Sequence, residues 1–344
     1  MSELPWDAVL VVSFGGPEGP DDVLPFLENV LRGRDVPRAR LLEVADHYHH
    51  FGGRSPINDC NRALIRALEA ELSSGGVGLP IYWGNRNWHP LLTDTMREMR
   101  DAGVKRALAF ITSAFSSYSG CRQYLDDISR ARADAGEGAP EVERLRPFYN
   151  HPLFIQAAAE RVQAAFPHLP EPHRAGAHLL FTAHSIPLYA AKTCDYVEQL
   201  DEACRLVAAA VGHPAHRLVY QSRSGPPGQP WLEPDVVDFL RELANDEGSR
   251  DVVVAPIGFI ADHMEVIYDL DTEAHQAAHH LGLNLIRAET VGTHPAFISM
   301  IRELIAERTH NAEPRAVGRY GARPDHCSVD CCPAPARPAS ATRR

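Results

Sequence analysis

No apolar run in this chain approaches the roughly 20 residues a helix needs to cross a membrane. The opening segment, Met1-Ser2-Glu3-Leu4-Pro5-Trp6-Asp7, has neither the positive stretch nor the apolar core of a secretory signal. A basic excess is also missing: 34 Lys and Arg stand against 45 Asp and Glu, a formal charge of −11. Without a basic stripe to neutralise phosphates, a nucleic-acid partner is not expected. The seven cysteines are odd in number, which disfavours a disulfide framework. Together these features predict a cytoplasmic protein with no integral membrane association.

What is present is an ordinary globular composition, 44% hydrophobic and 23% charged, over 344 residues. That length exceeds one core and predicts two domains of about 150 residues. Apolar runs that read as strands begin at Ala8, Ile81, Ala107, Val142, Leu179, Arg217 and Val252, and helical patterns alternate with them. The order β, helix, β, helix, β occurs twice, so the fold class is α/β. Two similar Rossmann-like domains, each a doubly wound parallel sheet, are predicted to face one cleft. The domains are placed at 1–140 and 141–310, followed by a polar, Pro-rich tail at 311–344.

The strand Leu179-Leu180-Phe181-Thr182-Ala183 ends in His184-Ser185-Ile186-Pro187. Ligands of open α/β sheets bind at the carboxyl ends of strands, and an imidazole there can act as base or metal ligand. A later run, Val252 to Phe259, leads into Asp262-His263-Met264-Glu265, a second strand-end cluster. Glu265, Asp269 and Glu273 then follow at i, i+4 and i+8, with Asp271 nearby. If a helix begins at Asp262 they share a face, about 6 Å apart along the axis. Such a ladder suits passage of a divalent cation, and a solvated acidic face is the alternative. Cys60, Cys194 and Cys204 lie in helix-like patterns and read as plain buried thiols. Cys327, Cys331 and Cys332 instead crowd into six residues of the tail.

The ordered set of segments resembles one family. Phe181-Thr182-Ala183-His184-Ser185-Ile186-Pro187 looks like the signature of ferrochelatases, which insert ferrous iron into a porphyrin. The resemblance continues at Ser13-Phe14-Gly15-Gly16-Pro17, Gly53-Arg54-Ser55-Pro56, Gln221-Ser222-Arg223-Ser224-Gly225, Trp231-Leu232-Glu233-Pro234, Pro256-Ile257-Gly258-Phe259 and Asp262-His263-Met264-Glu265. It implies that His184 and Glu265 face the porphyrin centre as catalytic and metal-contacting groups. Asp269 and Glu273 match outer acids that hold or relay cations. A porphyrin also needs apolar walls, for which Phe14, Ile111, Phe115, Trp231 and Met264 are candidates, with simple core packing as the alternative. Arg32, Arg34, Arg54, Ser55 and Tyr124 match the region that contacts propionates, although surface solvation would account for the arginines as well.

Some bacterial relatives carry a tyrosine in the first strand turn where this chain has Phe14, so a tyrosinate ligand there is excluded. The segment at about 48–58 reads as a polar lip, and the first turn resembles actinobacterial members. Both favour coproporphyrin III, with four propionates, over protoporphyrin IX. Some relatives also hold a [2Fe–2S] cluster on a C-terminal extension, with one ligand from the body. Cys121 is the candidate partner of Cys327, Cys331 and Cys332, with a zinc site or a redox-labile tail as alternatives. A cobalt or nickel chelatase and a non-catalytic haem or porphyrin carrier are the remaining readings. A downstream haem-pathway enzyme is a candidate partner.

Overall fold

The computed structural model describes residues 5–33, 36–213, 215–225, 228–246, 248–328 and 330–334. The first half runs β1 (Ala8–Ser13), α1 (Val23–Val30), α2 (Arg38–His50), α3 (Ile57–Ser74), β2 (Ile81–Asn85), α4 (Leu92–Asp101), β3 (Arg106–Ile111), α5 (Gln123–Ala135) and β4 (Glu141–Arg144). The second runs α6 (Pro152–Ala165), β5 (His178–His184), α7 (Leu188–Ala191), α8 (Tyr196–Ala210), β6 (His216–Gln221), α9 (Val236–Ala244) and β7 (Asp251–Ala255). It closes with α10 (Met264–Tyr268), α11 (His275–His280), β8 (Asn284–Arg287) and α12 (Pro295–Thr309).

Each half builds a four-stranded, wholly parallel sheet, ordered β2-β1-β3-β4 and β6-β5-β7-β8. The two orders are the same winding used twice, as expected. Strand β4 sits in the first sheet although it lies just past the division expected at residue 140.

Parity along the strands sorts the core into layers. In β1, Val9 and Val11 point to a central core, while Ala8, Leu10 and Val12 point to an outer layer under α4 and α5. In β5, Leu179, Phe181 and Ala183 join the same central core, and Leu180 faces the outer layer under α9. A period of two on strands buried on both faces produces this division. The central core is common to both halves, because α12 packs on both α3 and α6.

Elements α2, α7, β8 and α12 carry no pattern that marks them in the sequence. Helix α2 buries only Leu41 and Ala45 and leaves Leu42 exposed, so its apolar stripe is too thin to stand out. Residues 48–50 therefore belong to the end of a helix and not to an irregular lip. Helix α7, four residues before α8, is too short to show a helical period.

The described residues of the tail form no helix or strand but are strapped to the body. Val317 N donates to Asn150 O, Asn150 donates to Tyr320 O, and Arg319 N donates to Glu202. Arg323 pairs with Asp195 at 2.6 Å. Beside it, Arg146 is buried after β4 and forks onto Glu307 of α12 at 2.7 and 2.8 Å. Removing one partner of a buried pair strands the other charge. Glu307→Ala is therefore expected to destabilise the protein by about 3–5 kcal/mol in urea unfolding. A loss below about 1 kcal/mol, the range of a surface pair, would contradict this.

Candidate active site

In both sheets the strand order reverses between the first and third strands, which opens a crevice at their carboxyl ends. In the second half that switch point lies between β5 and β7. His184 is the last residue of β5, and the chain leaving β7 returns through Gly258 to Glu265. Gly258 permits this close return, because a side chain there would run into Ala183. His184 Nε2 and Glu265 Oε1 consequently stand 3.6 Å apart.

Both side chains are clamped from behind. His184 Nδ1 contacts Ser185 O at 2.5 Å, which assigns its proton to Nδ1 and turns Nε2 toward the cleft. Tyr196 of α8 donates its hydroxyl to His184 O at 3.0 Å. Gln221, at the end of β6, donates to Glu265 O at 2.6 Å. His263 caps α10, its Nδ1 accepting from Val266 N, and its Nε2 lies 3.6 Å from the second Glu265 oxygen. Glu265 is thus flanked by two imidazoles.

The electrostatics follow from this packing. Burial pulls the His184 imidazole down, but the Glu265 carboxylate more than offsets it, leaving His184 at about 9. Burial pushes Glu265 up, and His184 and then His263 bring it down to about 2. The resting pair is therefore an imidazolium facing a carboxylate. His263 is held below its ordinary value, by burial first, and stays neutral near pH 7.

The expected acid ladder is present, with a different start and a different winding. The helix begins at Met264, since His263 is its cap, and Asp262 instead meets Arg287 and Thr290. Arg287 also holds Asp271. A π-helical turn, Asp269–Ala274, interrupts the helix where Asp269 and Glu273 lie. Ser222, with φ of 63°, donates its hydroxyl to Asp269. Burial, tempered by that bond and reinforced by Glu265 and Glu273, raises Asp269 to about 7. Burial and the nearby Asp235 raise Glu273, with Arg40 opposing them. Helix α2 covers this side: His47 stacks on Tyr268 at 3.8 Å. The Tyr48 phenol is held well above its usual value, by burial and then by Glu265 and Asp269.

The wall residues divide. Met264 and Trp231 are buried, with Trp231 bridged to Pro187 just beyond His184. Phe14 follows β1 and packs edge-on to Phe26 at 6.3 Å. Ile111 and Phe115 are core residues. Of the expected propionate contacts, Arg32 is exposed after α1, and Arg34 lies outside the described residues. Arg54 pairs with Asp59 at 2.5 Å. Ser55 is buried, its N–H donating to Pro17 O. Tyr124 is buried in the outer layer of the first half, with the Arg86 guanidinium 4.5 Å over its ring. Arg86 in turn pairs with Asp127 at 2.5 Å, so Tyr124 is stacked under an ion pair.

The four cysteines do come together. Cys121 lies in a π-helical turn after β3, and thiol contacts run Cys121–Cys327, Cys327–Cys331, Cys331–Cys332 and Cys332–Cys121. Adjacent side chains normally diverge, but Cys332 has φ of 51°, and the two sulfurs lie 3.7 Å apart. Among the described residues no group of three His, Cys, Asp or Glu is placed to hold a single metal ion.

Two like-wound halves, with a histidine and an acid set face to face on neighbouring strand ends, define a two-domain α/β metal chelatase. The comparisons agree. Bacillus subtilis SirB with Fe3+ shares the fold at a TM-score of 0.57 and 13% identity, over 88% of this chain and 96% of that one. A ferrochelatase family model matches residues 6–309. The ferrochelatase of Rhodopirellula baltica is 56% identical over 335 residues, 96% of this chain and 95% of that protein. The coproporphyrin III ferrochelatase of Nocardia farcinica is 51% identical over 350 residues, 98% of this chain and 99% of that protein. The chain belongs to the ferrochelatase family.

The role of Ser222 was not visible in the sequence, and it is directly testable. Loss of a hydrogen bond to a charged group is worth about 1.5–3 kcal/mol, and one pKa unit is 1.36 kcal/mol. Ser222→Ala removes a bond that favours the ionised form. It should raise the Asp269 midpoint from about 7 by on the order of one unit, followed by carbon-13 NMR of the carboxyl. An unchanged or lower midpoint would contradict the assignment.

Proposed function

We propose that this chain inserts Fe2+ into coproporphyrin III, giving the iron porphyrin for haem biosynthesis. The observation that carries the reading is the His184–Glu265 pair, poised 3.6 Å apart at the switch point with acids behind it. The relatives from Nocardia farcinica, Frankia alni and Mycolicibacterium smegmatis, at 51–54% identity, are named for this substrate.

Metallation must remove two pyrrole protons and strip water from the metal. An imidazolium cannot accept a proton, so the resting pair has to be reset. Fe2+ arriving at Glu265 replaces the imidazolium as counter-charge and lowers the His184 pKa. His184 then releases its proton toward Asp269, whose carboxyl titrates near neutrality and suits a relay at that pH. Neutral His184 accepts the first pyrrole proton at Nε2, and the carboxylates take the second.

The first-half rim supports a polar substrate. Arg54 and Arg62 form an exposed network with Asp59 and Glu18. Exposed pairs are worth only about 0–1 kcal/mol and yield readily to a carboxylate-bearing ligand. No helix among the described residues is long and apolar enough to cross a membrane. In this reading the product passes in the cytoplasm to a downstream haem-pathway enzyme.

The same proposal includes a [2Fe–2S] cluster on Cys121, Cys327, Cys331 and Cys332. The 3.7 Å between Cys331 and Cys332 sulfurs is close to the roughly 3.8 Å that two thiolates span on one tetrahedral metal with bonds of about 2.3 Å. A two-iron body also spreads over a ring of thiols in which no three meet at one point. Bound, the cluster supplies a compact anionic sulfur centre that ties the tail to the body.

The test is anaerobic Fe2+ insertion into coproporphyrin III and protoporphyrin IX in parallel, read by loss of porphyrin fluorescence. Faster turnover of coproporphyrin is expected. Faster turnover of protoporphyrin would overturn the substrate assignment, and no turnover of either would favour a carrier.

A further inference from the structure

Arg144 ends β4 and is 5% exposed. Its Nη1 donates to Cys121 Sγ, its Nη2 to Cys327 Sγ at 2.7 Å, and its Nε to Asp325 O at 2.9 Å. No carboxylate among the described residues pairs with it. Its neighbours differ: Arg146 is matched by Glu307, and Arg308 by Glu143 at 2.6 Å. A guanidinium cannot shed its charge in a protein, and a buried charge without a counter-ion is strongly destabilising. Neutral thiols do not supply a counter-ion. Among the described residues the side-chain partners of this cation are all sulfurs, so the charge balance calls for anionic sulfur at this place.

We propose that Arg144 is the counter-cation and hydrogen-bond donor of the four-cysteine sulfur centre, and that it sets the reduction potential of the cluster. The inference rests on the cluster reading above. The planar fork spans one ligand from the body, Cys121, and one from the tail, Cys327, so it also fixes their separation. Arg122 completes the seat by donating to Ser328 O at 2.9 Å and Cys331 O at 3.3 Å. Reduction adds one electron to an already negative centre. Hydrogen bonds to the sulfurs and a nearby positive charge favour that reduced state, so Arg144 raises the potential.

The test uses the full chain purified anaerobically, as the unaltered protein, Arg144→Gln and Arg144→Lys. Iron and acid-labile sulfide are counted, visible and resonance Raman iron–sulfur bands are recorded, and midpoint potentials are measured by mediated titration followed by EPR. Arg144→Gln should show a more negative midpoint and shifted iron–sulfur stretching bands. Arg144→Lys, which keeps the charge but loses the fork, should lie between it and the unaltered protein. Arg144→Gln that is folded but holds little iron, with retention restored in Arg144→Lys, also supports the proposal. A fully loaded Arg144→Gln with the unaltered midpoint overturns it, as does equal loss of the cluster from both folded variants. Should Arg144→Gln not fold, Arg144→Lys decides alone: unshifted bands and midpoint overturn the proposal. Absence of iron and sulfide from the unaltered protein rejects the underlying cluster reading, and that is seen before any substitution is made.

Discussion

The attraction between His184 and Glu265 is the interaction around which this molecule is arranged. Like any ion pair in a cleft, it persists because the protein fixes both partners before they meet. The carbonyl of His184 is held by Tyr196, its ring by Ser185, and the backbone of Glu265 by Gln221. Each clamp comes from a different element, α8, the exit of β5, and β6. The winding of the second sheet delivers all of them to one edge. Parallel strands put every carboxyl end on the same side, and the reversal of order lies there, where open α/β sheets form a crevice. Behind the pair, carboxyls titrate at graded positions, Glu265 at about 2 and Asp269 at about 7. Asp269 thus lies far nearer neutral pH than Glu265.

The first half contributes enclosure more than chemistry. Helix α2 lays His47 and Tyr48 against the acid-bearing helix, while α12 ties α3 and α6 into a common core. The tail is held by charged and neutral hydrogen bonds: Arg144, Arg146 and Arg308 of the body each bind a tail group, Asn150 binds Tyr320 O, and Arg323 of the tail binds Asp195. The cysteine ring sits where that strap returns to the turn after β3. The turn in turn touches α8 through Ser116 and Gln199, which exchange two hydrogen bonds at 2.8 and 3.0 Å. Tyr196 stands on the same helix.

Much of this was legible in the sequence because strands buried on both faces read as apolar runs, and chemistry follows at their ends. His184, Glu265 and the alternation of elements were read that way. The winding of the acid helix was not, since a π-helical turn leaves no periodic mark. Tyr124 matched the propionate region by resemblance, yet its packing under Arg86 depends on a tertiary partner 38 residues earlier. Arg144 was invisible for a related reason: a buried arginine is identified by the carboxylate it lacks, and that requires coordinates.

The most direct measurement compares porphyrin affinity and single-turnover Fe2+ insertion for the unaltered protein and His184→Ala. For His184→Ala the affinity should change by less than about tenfold and the insertion rate should fall by at least about 10²-fold, the lower range for a general acid–base group. Insertion at the unaltered rate, with porphyrin bound, would contradict this.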